Sequence, residues 1–173
     1  PHVEAGCVSS VDADGQPHAR YVNFKYFFED HLIFFSNYKS DKAKQFENNA
    51  LVAINFWWPN IDTQIRIEGE ISKCPEKFSD QHFQEREIGK NISAIASSQS
   101  EKIESYEILR EKYEAIRAKV EAGEIHDSRP KDWGGYQIKI NYFEFWEAFE
   151  DRLNYRECYN MQGDTWQKYF LQS

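Results

Sequence analysis

The chain has 173 residues and 21 Lys plus Arg against 29 Asp plus Glu, a formal charge of −8 in 20.5 kDa. That length predicts one domain over residues 1–173, large enough to bury a core without disulfide staples, and the charge opposes a polyanionic partner, since no basic stripe offsets it. Cys7, Cys74 and Cys158 are odd in number, far apart and never in a CxxC pair, which argues against a disulfide framework or a zinc knuckle and favours a reducing cytosol.

The first half reads as strands. Cys7–Val11 ends at Asp12-Ala13-Asp14-Gly15, where Asp-Gly supplies a tight hairpin turn. Residues 19–28 and 31–36 then continue as two more strands around Glu29-Asp30, so a three-stranded meander is expected. Ser40 predicts a helix start, with Asp41 in its first turn and an end at Asn48-Asn49. Leu51–Trp58 is nearly continuous in apolar residues and reads as a buried strand, stopped by Pro59-Asn60. Over residues 63–72, Ile65, Ile67 and Ile71 alternate with polar neighbours, the period of a half-buried sheet.

Pro75 opens a helical stretch to about Arg86, a second piece runs to about Ala96, and Ser98 to Lys119 predicts a longer charged helix. Residues 122–131 carry Gly123, Asp127, Ser128 and Pro130 and read as a loop. Trp133-Gly134-Gly135 leads into an aromatic strand over 136–148. Strands over 152–159 and 166–171, with a turn at Gln162-Gly163-Asp164, complete the set. About seven strands with inserted helices predict a small closed or split barrel. The aromatic content, 16%, suits strands and flat binding surfaces.

No apolar run reaches the roughly 20 residues that span a bilayer. Pro1-His2-Val3-Glu4 has no signal-peptide pattern, and the absence of an initial Met leads us to expect preceding residues. His2, His18, His31, His82 and His126 are scattered, so no metal site is expected, and GxGxxG, GxxxxGK[ST] and GxSxG motifs are absent. What remains is cations and amides at element ends. Arg20 and Lys25 share a strand, Ser36, Ser40 and Lys42 flank a helix start, and Gln99-Ser100 sits at the start of another. Such a set suits a phosphate, but Ser98-Gln99-Ser100-Glu101 also reads as a plain capping box. His82, Arg86 and Lys90 would line one helical stripe if Gly89 does not break it, where an anion relieves their repulsion; the alternative is a solvated face on which Glu85 and Glu87 neutralise Arg86. Phe143, Phe145 and Trp146 fit either a core or a cofactor platform.

Taken in order, residues 12–25 (DADGQPHARYVNFK), Phe35-Ser36-Asn37, Ser40-Asp41-Lys42-Ala43 and Glu47-Asn48-Asn49 resemble the pyridoxamine 5′-phosphate oxidase family. So do Gln64 before Gly69, Ser97-Ser98-Gln99-Ser100, Trp133-Gly134-Gly135, Phe143-Glu144-Phe145-Trp146 and Arg152-Leu153-Asn154-Tyr155-Arg156. The resemblance implies a mainly β (α+β) fold, the FMN-binding split β-barrel with Greek-key strands and flanking helices. It further implies a cytoplasmic homodimer with FMN at the subunit interface.

It would put Arg20, Lys25, Phe35, Ser36 and Lys42 at flavin-contact positions, with Gln64, Gln99, Ser100, Trp146 and Arg156. Lys25, His82, Arg86 and Lys90 would grip the substrate phosphate, and Arg152 and Asn154 would orient the substrate at the catalytic position. The implied reaction passes a hydride from pyridoxamine or pyridoxine 5′-phosphate to flavin N5, and dioxygen then takes the electrons to give peroxide. Some positions depart from the family's pattern. Asp41 replaces an Arg, His82 a Tyr, Lys90 what is often a Ser, and Asn154 the His of an Arg-Leu-His-x-Arg signature; the C-terminus, Tyr169 to Ser173, lacks the usual basic, Pro-containing sequence. The alternatives are a related FMN oxidoreductase with another small anionic substrate, for example phenazine-type, a flavin-binding protein without turnover, and a barrel without flavin.

Overall fold

The structure, a computed structural model, describes residues 3–125 and 128–173. His2, His126 and Asp127 of the expected loop lie outside the described residues. The chain divides into two compact units, one of Pro1–Phe34, Gln45–Ser72 and Gln137–Ser173, the other of Phe35–Lys44 and Lys73–Tyr136.

The first unit holds most of the sheet. Its strands are β1 (Ala5–Val11), β2 (Pro17–Asn23), β3 (Tyr26–Phe28), β4 (His31–Asn37), β5 (Leu51–Trp58), β6 (Thr63–Lys73), β7 (Trp133–Glu147), β8 (Tyr155–Gln162) and β9 (Thr165–Phe170), with the ends of β4, β6 and β7 passing into the second unit. The strand order is β2-β1-β5-β6-β7-β4-β3, with β8 on β7 and β9 on β8. Asp12 makes the first hairpin: its carboxylate accepts from the Asp14 and Gln16 amides at 3.0 and 2.9 Å, and Gly15 takes φ +81°.

The expected meander does not form. β1 and β2 pair antiparallel, as do β3 and β4, but β2 and β3 stand at opposite ends of the strand order. The stretch 19–28 breaks at Phe24-Lys25, where the Phe24 amide donates to Glu4 O at 2.9 Å and the Lys25 amide to Ile33 O at 2.8 Å. Phe24 turns inward there, with ring centroids 5.6 Å from Phe34 and 5.3 Å from Phe56. Gly6 is required beside them, because a Cβ there would lie 2.8 Å from both the Phe24 and Phe56 rings. The stretch 51–58 forms a strand, but one that alternates: Val52, Ile54 and Phe56 are buried while Leu51, Ala53, Asn55 and Trp57 are exposed. Among the described residues nine strands form against the about seven expected: each of the eight segments that the sequence assigns to strands is found, and 19–28 divides into β2 and β3.

The second unit holds the helices α2 (Glu76–Glu85), α3 (Ile88–Ala96) and α4 (Tyr106–Glu121); α1 (Asp41–Asn48) starts in it and ends in the first. Phe83, Ser79, Asn91 and Tyr136 are buried, and Asn91 Nδ2 donates to Phe83 O at 2.9 Å. The expected helix from Ser98 begins only at Tyr106. Ser105 is its cap, accepting from the Ile108 amide at 3.4 Å. Ser98–Glu101 is instead a turn, closed by Glu101 N to Ser98 O at 3.1 Å, with Ser100 at φ +75°.

Candidate functional site

In the second unit β4 ends in Phe35, Ser36 and Asn37, whose alternation turns Ser36 inward. Gln99 meets them from the Ser98–Glu101 turn. Its Oε1 accepts from Ser36 Oγ at 3.0 Å and from the Asn37 amide at 3.2 Å, which commits the carbonyl end and leaves the NH2 end to donate outward. Ser100 Oγ accepts from the Asp41 amide at 3.2 Å, the first residue of α1, so Ser100 serves a helix N-terminus without belonging to the helix that follows it. Lys42 Nζ lies 3.3 Å from Ser40 Oγ, and the Ser40 hydroxyl donates to Asn37 O at 2.8 Å rather than capping α1 with its side chain. Asp41 is exposed and pairs with Lys44 Nζ at 3.3 Å, which spends its negative charge locally.

His82, Arg86 and Lys90 do not form one helical stripe. The break falls at Arg86, with φ −77° and ψ 155°, and not at Gly89. His82 stacks on Phe35 at 3.6 Å and 8°, and Phe35 stacks on Trp133 at 5.3 Å and 13°. The Arg86 guanidinium lies 4.4 Å from the Trp133 ring centroid, in cation–π range, and NH2 reaches Lys90 O at 3.4 Å. Its NH1 is buried and has no hydrogen-bond partner, and burial pulls the Arg86 pKa down. Arg86, Lys90, Ser36, Gln99, Phe35 and Trp133 line one cavity of about 200 Å³. Glu87 pairs with Lys90 at 3.2 Å and not with Arg86, so the solvated-face reading fails for the guanidinium.

In the first unit Arg20 projects from β2 into a group of neutral acceptors. NH1 donates to Ser10 Oγ at 2.7 Å and NH2 to Gln45 Oε1 at 2.6 Å, while Ser10 Oγ donates to Gln45 Oε1 at 2.7 Å. Burial lowers the Arg20 pKa, and among the described residues its side-chain partners are the neutral Ser10 and Gln45. Lys25 lines a second, larger cavity of about 670 Å³ with Phe24, Phe143, Phe145 and Trp166. Gln64 stands opposite Trp57 in the β5–β6 register, and Trp146 opposite Arg156 in β7–β8. Arg156 Nε donates to Glu144 Oε1 at 2.6 Å and NH1 to Gln172 O at 3.2 Å.

Arg152 and Asn154 precede β8 rather than lying in it. Arg152 is exposed with φ +61°, after Asp151 at φ +57°, and Asn154 Oδ1 accepts from the Phe149 amide at 3.3 Å across this turn. Asn154 therefore does backbone work where a His would carry a titratable ring.

Sequence reasoning missed Ser10 and Gln45, which hold Arg20, and Glu144, which holds Arg156. Glu144 had a signal: a carboxylate between Phe143 and Phe145 on a strand whose neighbours are apolar must find cations to be buried there. Among the described residues no group of His, Cys, Asp and Glu could hold a metal ion, and no helix is long and apolar enough to cross a membrane.

A family model described as pyridoxamine 5′-phosphate oxidase matches residues 1–120, and one described as the pyridoxine 5′-phosphate oxidase C-terminal dimerisation region matches residues 133–173. The chain is 41% identical over 166 residues to a pyridoxine/pyridoxamine 5′-phosphate oxidase of Hydrogenovibrio crunogenus, covering 92% of this chain and 74% of that protein. It is 38% identical over 168 residues to the protein of that name from Thermosynechococcus vestitus, covering 97% and 78%. Among solved structures, PhzG from Burkholderia lata 383, in complex with tetrahydrophenazine-1-carboxylic acid, matches with a TM-score of 0.92 at 24% identity, over 100% of this chain and 84% of that one. A pyridoxamine 5′-phosphate oxidase-related, FMN binding protein from Nostoc punctiforme matches with a TM-score of 0.79 at 16% identity, over 99% and 88%. These two likenesses bear out the expected split-barrel fold, mainly antiparallel β with four helices.

Proposed function

The chain belongs to the pyridoxamine 5′-phosphate oxidase family, and on that premise we propose that it is an FMN-dependent oxidase of pyridoxine or pyridoxamine 5′-phosphate, which consumes dioxygen and forms the aldehyde and hydrogen peroxide, with water taken up and ammonia released when the substrate is the amine. The observation that carries this reading is the cavity at Arg86. A half-buried guanidinium with an unsatisfied N–H, backed by the Trp133 ring and beside Lys90, lacks the acceptor that a substrate phosphate brings. Arg86 and Lys90, with His82, are assigned to that phosphate; Lys25, expected with them, lines the cavity of the first unit.

The residues fit FMN by the chemistry of their donors. The second unit offers the hydroxyls of Ser36 and Ser100, the Gln99 amide and the Lys42 ammonium, and Phe35 supplies an aromatic wall. The first unit offers Arg20, a cation held by neutral acceptors only, with Lys25, Gln64, Trp146 and Arg156. Cations, hydroxyls and amides suit a phosphate, and a Trp ring suits a flat heterocycle. When bound, FMN supplies hydride acceptance at N5 and reoxidation by dioxygen. The chain's own work is binding and orientation: Arg86 and Lys90 anchor the phosphate end of the substrate, and Arg152, set by the turn that Asn154 closes, orients its reacting end. The protein acts as a homodimer with FMN at the interface, in a reducing cytosol that suits its three free cysteines.

The test is an absorbance spectrum of purified protein followed by anaerobic pyridoxine 5′-phosphate. A flavin band that bleaches on addition is the expected result. A flavin band that persists removes the vitamin substrate and leaves the cofactor; a protein that takes up no FMN removes both.

A further inference from the structure

Glu144 is 1% exposed on β7, yet the sequence places it between two phenylalanines. Both oxygens of its buried carboxylate are engaged. Oε1 accepts from Arg156 Nε at 2.6 Å, and Oε2 accepts from Arg66 NH1 and from the Tyr142 hydroxyl, both at 2.9 Å. Arg66 reaches it from β6 and Arg156 from β8, so one carboxylate ties side chains from two other strands. Burial pushes the Glu144 carboxyl up, but the bonds from Arg156 and Tyr142 and the charges of both arginines outweigh it, and the group sits below the ordinary carboxylate range.

The register makes this a directed contact. Arg156 stands opposite Trp146 and Glu144 opposite Cys158, so the guanidinium reaches back diagonally to Glu144. With Nε held there and one NH1 hydrogen on Gln172 O at 3.2 Å, NH2 and the second NH1 hydrogen are left to donate. A free arginine side chain would lose much of its rotamer entropy on binding a ligand; one already clamped does not.

We propose that Glu144 is a positioning residue for the cofactor, which fixes the Arg156 guanidinium in the orientation it needs to contact FMN. The inference rests on the FMN reading above. It is tested by titrating apoprotein with FMN and following flavin fluorescence, for wild type, Glu144→Gln, Arg156→Ala and the double variant, with a thermal melt of each apoprotein.

Glu144→Gln is expected to weaken FMN about tenfold, the scale of one charge-assisted hydrogen bond, and to shift the bound flavin's visible spectrum. In the Arg156→Ala background the same change is expected to cost nothing further. A merely structural carboxylate would lower the melting temperature and leave the FMN dissociation constant and spectrum unmoved, or would act equally in both backgrounds; either result overturns the inference. Should Glu144→Gln fail to fold, Tyr142→Phe removes one bond to Oε2 and is expected to weaken FMN severalfold, and an unchanged dissociation constant then overturns it. Wild-type apoprotein that takes up no FMN overturns the parent reading and this one together, whereas equal binding by wild type and Glu144→Gln overturns this one alone.

Discussion

Arg20 and Arg156 carry the same charge in different company. Arg156 has Glu144, whose hydrogen bond raises its pKa. Arg20 has only Ser10, Gln45 and a backbone carbonyl, so desolvation lowers its pKa and its charge awaits an anion. Arg20→Met leaves Ser10 and Gln45 bonded to one another at 2.7 Å. We therefore expect the apoprotein's thermal midpoint to hold or rise, while FMN affinity falls by roughly tenfold to a hundredfold, the value of a hydrogen bond to a charged group; titration and melting of the apoprotein check the two signs. Cys74 shows the opposite use of burial. Burial pushes its thiol to about 11. Native protein treated with iodoacetamide at pH 8 should keep Cys74 unmodified by mass spectrometry until it is unfolded.

At the scale of elements, the start of β7 is decided by space. A Cβ on Gly134 would collide with the Tyr38 hydroxyl and come within 3.0 Å of Ser79 Oγ, while the Gly135 amide donates to that same Oγ at 3.0 Å and the Tyr38 hydroxyl to Gly135 O at 3.1 Å. Gly134→Ala should cost about 1–3 kcal/mol, the usual range for overpacking, read as a lower denaturant midpoint. The β8–β9 hairpin is held by charge instead. Glu157 accepts from Lys168 at 2.8 Å and from the Tyr155 and Tyr159 hydroxyls, and the Lys168 bond first, then the two phenols, hold its carboxyl at about 2 against an ordinary 4.5. A carboxyl whose folded pKa is depressed stabilises the fold above its unfolded pKa and loses that contribution as the pH falls through the folded one. The melting-temperature gap between wild type and Glu157→Gln should thus be full above about pH 5 and close between 4.5 and 2.

For the whole molecule, Phe149, Leu153, Tyr155, Phe170 and Leu171 are exposed in the stretch matched by the dimerisation region, 133–173. Leu153 is 75% exposed and Phe170 59%, more apolar surface than an isolated protein usually leaves to water. Light scattering of FMN-loaded protein should give twice 20.5 kDa; a mass of one chain would refute the dimer.

Turns, breaks and segment ends were readable from residue order because they depend on neighbours a few positions apart. Asp12 and Gly15 close the first hairpin, Pro59 stops β5, and α3 ends at Ala96 as its pattern does. The resemblance proposes an ordered set of site residues, of which Phe35, Ser36, Arg86, Lys90 and Gln99 line one cavity. Partner choice was not readable. Whether 19–28 is one strand or two depends on the amides of Phe24 and Lys25 finding Glu4 and Ile33, and Ser105 rather than Ser98 caps α4 where Ser100 takes a left-handed turn and its Oγ accepts from the Asp41 amide. The company of each charge, Glu144 for Arg156, neutral oxygens for Arg20 and an aromatic ring for Arg86, is likewise a long-range contact, and such contacts exist only once the strands and helices have packed.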